Sequence, residues 1–174
     1  MAPRNYLARK KAKELLAGAG VKSPPVPVEV LASAVGAEVR YEPFPGQLSG
    51  MVHRKADGSA IIGINSLHPL TRQRFSIAHE LAHLVLHKDE DLHVDETSSI
   101  RFRSELSSRA VDVGEIEANQ FAAELLMPSK MLFSEIDKLP GDLGTEEAVT
   151  KLAERFQVSE QAMTFRLSGL GVLR

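Results

Sequence analysis

The chain has 174 residues, 43% of them hydrophobic and 25% charged, the balance of a globular protein built on one core rather than a disordered or fibrous chain. A net charge of −2 offers no global attraction to nucleic acid or to an anionic membrane. Cysteine is absent, which excludes disulfides, thiolate metal sites and cysteine nucleophiles and leaves His and carboxylates as the available metal ligands.

No apolar run approaches the roughly 18 residues of a membrane span, and the opening Met-Ala-Pro-Arg-Asn-Tyr lacks the apolar core of a signal peptide. A cytoplasmic protein is the expectation. Residues 4–18 carry Leu7, Ala8, Ala12, Leu15 and Leu16 among Arg and Lys, an amphipathic helix ended by Gly18 and Gly20. The cluster Arg9, Lys10 and Lys11 reads as its solvated face. Pro24-Pro25 is a stiff spacer, and Val28 to Val35 reads as a short helix closed by Gly36. Ala37 to Tyr41 alternates as a strand. Residues 48–53 and 59–65 read as a strand pair joined by a turn with the Asp57-Gly58 signal. A helix is expected to start at Pro69-Leu70-Thr71, with Thr71 as a cap.

That helix holds the most informative run, His79-Glu80-Leu81-Ala82-His83. Positions i and i+4 share a helix face, so His79 and His83 aim two imidazoles at one point, with Glu80 beside them. Two His ligands and a Glu acting on a water are the zincin arrangement. Phe75, Ile77, Ala78, Leu81, Ala82, Leu84, Val85 and Leu86 make the helix apolar nearly all round, which marks it as buried. Buried imidazoles and a carboxylate are costly unless something satisfies them, and a metal does so.

Residues 88–114 read as a long polar connection, either a lid over the site or an uninvolved surface loop. Helix returns over 115–127 and Pro128 stops it. Ser129 is expected to cap a helix to about Leu139, Thr145 another to Phe156, and Ser159 a last one through Leu167.

A catalytic zinc site needs a third protein ligand. The metzincin pattern fails, because residue 86 is Leu and residue 89 is Asp. His87 continues the spacing, but a straight helix cannot wrap three turns around one ion, so His87 is expected near the helix end, where a cation suits the dipole. The remaining route is a Glu on the 115–127 helix. Glu117 borders the apolar stripe through Ala118, Phe121, Ala122 and Leu125, and Glu124 shares its side. Periodicity leaves both open and sets Glu115 apart as solvated.

Residues 74–87 with 115–128, Glu-Ile-Glu-Ala-Asn-Gln-Phe-Ala-Ala-Glu-Leu-Leu-Met-Pro, resemble the ImmA/IrrE family of metallopeptidases over about residues 26–135. The resemblance implies an α+β, zincin-like fold with a small antiparallel or mixed sheet packed on a helical core. It implies Zn2+ on His79, His83 and Glu117, with Glu80 as catalytic base; two imidazoles and one carboxylate can also hold Mn2+. Asn119 or Glu124 would orient a His ligand. The function implied is limited hydrolysis of a protein substrate, a helix-turn-helix transcriptional repressor. Glu80 would take a proton from water on the zinc as that water attacks the peptide carbonyl. A second donor for the developing oxyanion is expected but not identified; Tyr6, Tyr41, His53, His87 and His93 are candidates, each set against a structural or surface role. A strand edge at 48–53 or 60–65 would hold an extended substrate by strand addition.

Two domains are expected, a metallopeptidase domain over 1–140 and a helix pair over 141–174 packed on it. The pair reads as helix, tight turn, helix, with Ala153, Val158, Ala162 and Leu167 inside, a spacing that resembles a helix-turn-helix. The alternative function is therefore a DNA-binding or partner-binding regulator with little peptidase activity. The second helix offers only Arg166 as a cation, with Glu160 at its start, so DNA binding is not favoured.

Overall fold

The structure is a computed structural model that describes residues 4–87, 92–96, 105–139 and 145–173, with the side chains of 92–96 and 105–112 left aside. Seven helices and four strands follow one another among the described residues: α1 (Asn5–Gly18), α2 (Val28–Ala34), β1 (Ala37–Glu42), β2 (Leu48–Arg54), β3 (Ala60–Asn65), α3 (Leu70–Leu86), β4 (Leu92–Glu96), α4 (Glu105–Leu126), α5 (Ser129–Ile136), α6 (Glu146–Phe156) and α7 (Glu160–Gly169). The fold is α+β, as the sequence implied.

The sheet has the order β1-β3-β2-β4 and is mixed. β1 runs parallel to β3, while β2 is antiparallel to both β3 and β4. The β2–β3 hairpin closes as its sequence predicts. Gly58 supplies the positive φ of 85° that a side chain would resist, and Asp57 Oδ1 accepts from the Ser59 backbone N–H at 2.9 Å. Val52 pairs with Ile62, and both face the core. The expected use of strand 48–53 or 60–65 as a substrate edge is overturned. β3 is flanked by β1 and β2, and β2 by β3 and β4, so the ladder bonds of both strands are directed to neighbours.

Helix α3 packs against β2 and β3 and also against α4 and α1. Every residue from Ser76 to Leu84 is buried, as an all-round apolar helix requires. α4 lays Ala118, Phe121, Ala122 and Leu125 into the same core. Each large apolar side chain buried there contributes about 1.5–3 kcal/mol. Val158 of the turn between α6 and α7 and Met163 and Leu167 of α7 join that core too. Among the described residues no helix is long and apolar enough to cross a membrane.

Several local expectations need correction. α3 begins at Leu70 behind Pro69, whose φ of −56° already suits helix entry, and Thr71 lies inside the helix rather than capping it. α5 likewise starts behind Pro128 with no side-chain cap, and the Ser129 hydroxyl donates back to Glu124 Oε1 at 3.2 Å. The expected connection 88–114 contains β4 and ten residues of α4. Pairing with β2 and packing of α4 override weak local propensity there. The remainder of the suggested lid, 88–91 and 97–104, lies outside the described residues. By contrast, Thr145 and Ser159 do cap α6 and α7, accepting from the N–H groups of Ala148 and Ala162. The turn between those helices passes through Gln157 in the left-handed region.

Candidate metal centre

The site forms where the C-terminal half of α3 meets α4. His79 and His83, one turn apart and both buried, place their Nε2 atoms 3.2 Å from each other. Glu115 of α4 closes the group, with Oε2 3.1 Å from His79 Nε2 and Oε1 3.4 Å from His83 Nε2. Two ligands held tetrahedrally at the usual zinc–nitrogen distance stand about 3.3 Å apart. The three separations match that span, and imidazole with carboxylate is a donor set that holds zinc or manganese. These are also the residues whose ligand atoms converge closely enough to hold an ion among the described residues. The group therefore fits a divalent metal.

The surroundings prepare the donors. Asn119, one turn after Glu115 on α4, places Oδ1 3.2 Å from His79 Nδ1. An amide oxygen only accepts, so Nδ1 carries the proton and Nε2 keeps its lone pair for the shared point. Arg54 of β2 donates through Nη2 to the carbonyls of His83 at 2.9 Å, Leu84 at 3.2 Å and His87 at 2.8 Å. A guanidinium thus satisfies the C-terminal carbonyls of α3, the place where a positive charge suits the helix dipole.

Glu80 is fully buried and presses on the backbone of β2. A Cβ built on Gly50 would stand 3.2 Å from both Glu80 Cγ and Oε1. Glycine is what lets the strand pass so close to this carboxylate.

Glu117, the expected third ligand, is not in the cluster. Its Oε2 lies 3.1 Å from His87 Nε2, and its carboxylate takes three N–H groups of Arg4: the backbone at 2.7 Å, Nε at 3.0 Å and Nη2 at 3.0 Å. Burial would raise its pKa, but the Arg4 and His87 contacts prevail and bring it down to about 2. The reading of Glu115 as solvated is corrected: it is two-thirds covered and points at the histidines. No burial pattern in the sequence separates the two, since Glu117 is itself buried while Glu115 keeps about a third of its side chain exposed.

Glu124 is likewise elsewhere. It forms a buried ion pair with Arg166 of α7 and accepts from Ser129. Arg166 also donates Nε to the Met127 carbonyl at 3.0 Å, so the expected DNA-facing cation is inside the protein. His87 ends α3, where its imidazole meets His83 and Glu117, and Arg54 is the cation at that terminus. Of the expected oxyanion donors, Tyr6 and His53 are exposed, Tyr41 donates to Glu29 Oε1 at 2.8 Å on β1, and the His93 side chain lies outside the described residues.

Comparison with known proteins agrees with this architecture. The family model of the IrrE N-terminal-like domain matches residues 32–168. The chain is 29% identical over 139 residues to a radiation response metalloprotease IrrE of Deinococcus radiodurans, covering 80% of this chain and 39% of that protein. It is 31% identical over 127 residues to a metallopeptidase ImmA of Bacillus subtilis, covering 72% of this chain and 66% of that one. The chain thus spans well under half of the Deinococcus relative. A Mycobacterium tuberculosis transcriptional regulator shares the fold with a TM-score of 0.61 at 17% identity, over 95% of this chain and 48% of that chain.

Proposed function

The chain belongs to the IrrE N-terminal-like peptidase family, and from that premise we propose that it is a metal-dependent endopeptidase whose ion, zinc or manganese, rests on His79, His83 and Glu115. The observation that carries the reading is the convergence of two imidazole nitrogens and one carboxylate within 3.4 Å of one another. A divalent ion at that point supplies a Lewis acid that polarises a peptide carbonyl and acidifies water.

The protein's own residues do the rest. Glu80 follows His79 directly in α3 and lies buried against Gly50. Its carboxylate takes the proton of the attacking water and returns it to the leaving nitrogen. Asn119 fixes the tautomer and orientation of His79. The buried walls of α3 keep bulk water from competing with these contacts.

The substrate proposed is a helix-turn-helix repressor cut at one place, the class that the family resemblance implies. It is tested with a purified helix-turn-helix repressor as substrate. One defined cut is expected in the presence of zinc. Glu80→Gln should retain stoichiometric metal and lose about 10²–10⁴-fold in rate, the usual worth of a positioned general base. Glu115→Ala should lose the metal itself. Cleavage that survives Glu80→Gln would overturn the mechanism, and metal retained at full affinity by Glu115→Ala would overturn the ligand set in favour of Glu117.

A further inference from the structure

A chain of polar contacts leads from the metal centre to Arg4, just ahead of α1. His83 Nδ1 lies 3.1 Å from His87 Nδ1. His87 Nε2 lies 3.1 Å from Glu117 Oε2. Glu117 is held in turn by the three Arg4 N–H groups. The His87 ring rests against Gly114 of α4, where no side chain intervenes.

Proton counting gives this chain a direction. Two facing Nδ1 atoms form a hydrogen bond only if one carries the proton. A neutral imidazole that gives its Nε2 lone pair to a metal carries its proton on Nδ1. His83 therefore donates and His87 accepts. His87, accepting on Nδ1, carries its own proton on Nε2 and donates it to Glu117. Glu117, ionised and clamped by a guanidinium, is the acceptor that such a donor requires.

We propose that Arg4, Glu117 and His87 form a positioning relay that fixes the tautomer and ring orientation of His83 and so sets how tightly the centre holds its metal. The relay ties Arg4 to His83, a ligand 79 positions later in the chain (83 − 4). None of the three is a ligand in this arrangement, and the proposal rests on the His79, His83 and Glu115 reading.

The test is zinc affinity of the full chain, measured by competition with a chromophoric chelator. Wild-type protein should bind one zinc, and Glu115→Ala should not; failure of that pair would sink the metal reading itself. With the pair in place, His87→Leu and Glu117→Ala should each weaken zinc binding about 10–100-fold, the range for losing a hydrogen-bond partner behind a ligand. Arg4→Met should weaken it less, because Glu117 remains. His87→Gln, which keeps an amide oxygen to accept and an amide N–H to donate, should recover most of the loss. Thermal unfolding of the metal-free variants shows whether each is folded. Wild-type affinity in both His87→Leu and Glu117→Ala, or a Gln variant as weak as the Leu variant, would overturn the relay.

Discussion

At the scale of single residues the site is governed by close fits. Glu80 has β2 directly over it, and the absence of a side chain at Gly50 is what leaves room. Gly50→Ala would place a methyl group 3.2 Å from Glu80 Cγ and Oε1, so the carboxylate must give way by a few tenths of an ångström. Catalytic groups are sensitive to such shifts, since roughly 1 Å of misplacement costs about 10²-fold. The expected outcome is about a tenfold fall in kcat/KM with zinc stoichiometry unchanged. Unaltered turnover would count against Glu80 as the proposed general base.

Glu117 makes a prediction about acid. Its carboxyl is depressed to about 2 in the folded protein against 4.5 for an unperturbed glutamate. A depressed carboxyl contributes stability that is present above pH 4.5 and lost as pH falls through the window down to about 2. Arg4 is half exposed, so solvent screening reduces the effect below what the shift alone implies. Urea unfolding of metal-free protein from pH 5 to pH 3 should therefore show a larger loss in the wild type than in Glu117→Gln. Parallel slopes for the two proteins would contradict the depressed carboxyl.

At the scale of elements, α3 was legible because its chemistry and its packing say the same thing: an unbroken apolar surface with two imidazoles one turn apart. The caps at Thr145 and Ser159 were legible for a similar reason, since capping is a contact within one turn of helix. The third carboxylate was not legible. Glu115 and Glu117 differ by about 200° around α4, and which side faces α3 depends on the approach of the two helices, a long-range property. β4 and the first turns of α4 were missed because pairing with β2 and packing outweigh a polar local sequence. The same limit hid the fate of Arg166. On sequence it was the one cation of α7, whereas in the fold it is bound to Glu124 and to the Met127 carbonyl. Removing one partner of a buried pair strands the other, at about 3–5 kcal/mol. Arg166→Met should destabilise by that order in denaturant unfolding, and Glu124→Gln in the same chain should recover part of it. An Arg166→Met protein of wild-type stability would show that the pair does not fasten α7 to α4.

At the scale of the whole molecule, the proposed metal donors come from α3 and α4, at positions 36 residues apart (115 − 79), and they meet only when the core between those helices is formed. An ion that binds the folded arrangement and not the open chain adds its binding energy to stability. Free zinc at about a hundred times its dissociation constant would contribute about 2.7 kcal/mol. For a domain of this size each kcal/mol raises Tm by about 2–4 °C, so a rise of about 5–10 °C is expected between chelator-treated and zinc-loaded protein in calorimetry. Glu115→Ala should unfold at nearly the same temperature with and without zinc, because the cluster then lacks the one ligand that α4 supplies. Ions bound at scattered surface histidines would instead raise both proteins alike. The difference between the two shifts thus separates a centre built by the fold from metal that merely adheres to the chain.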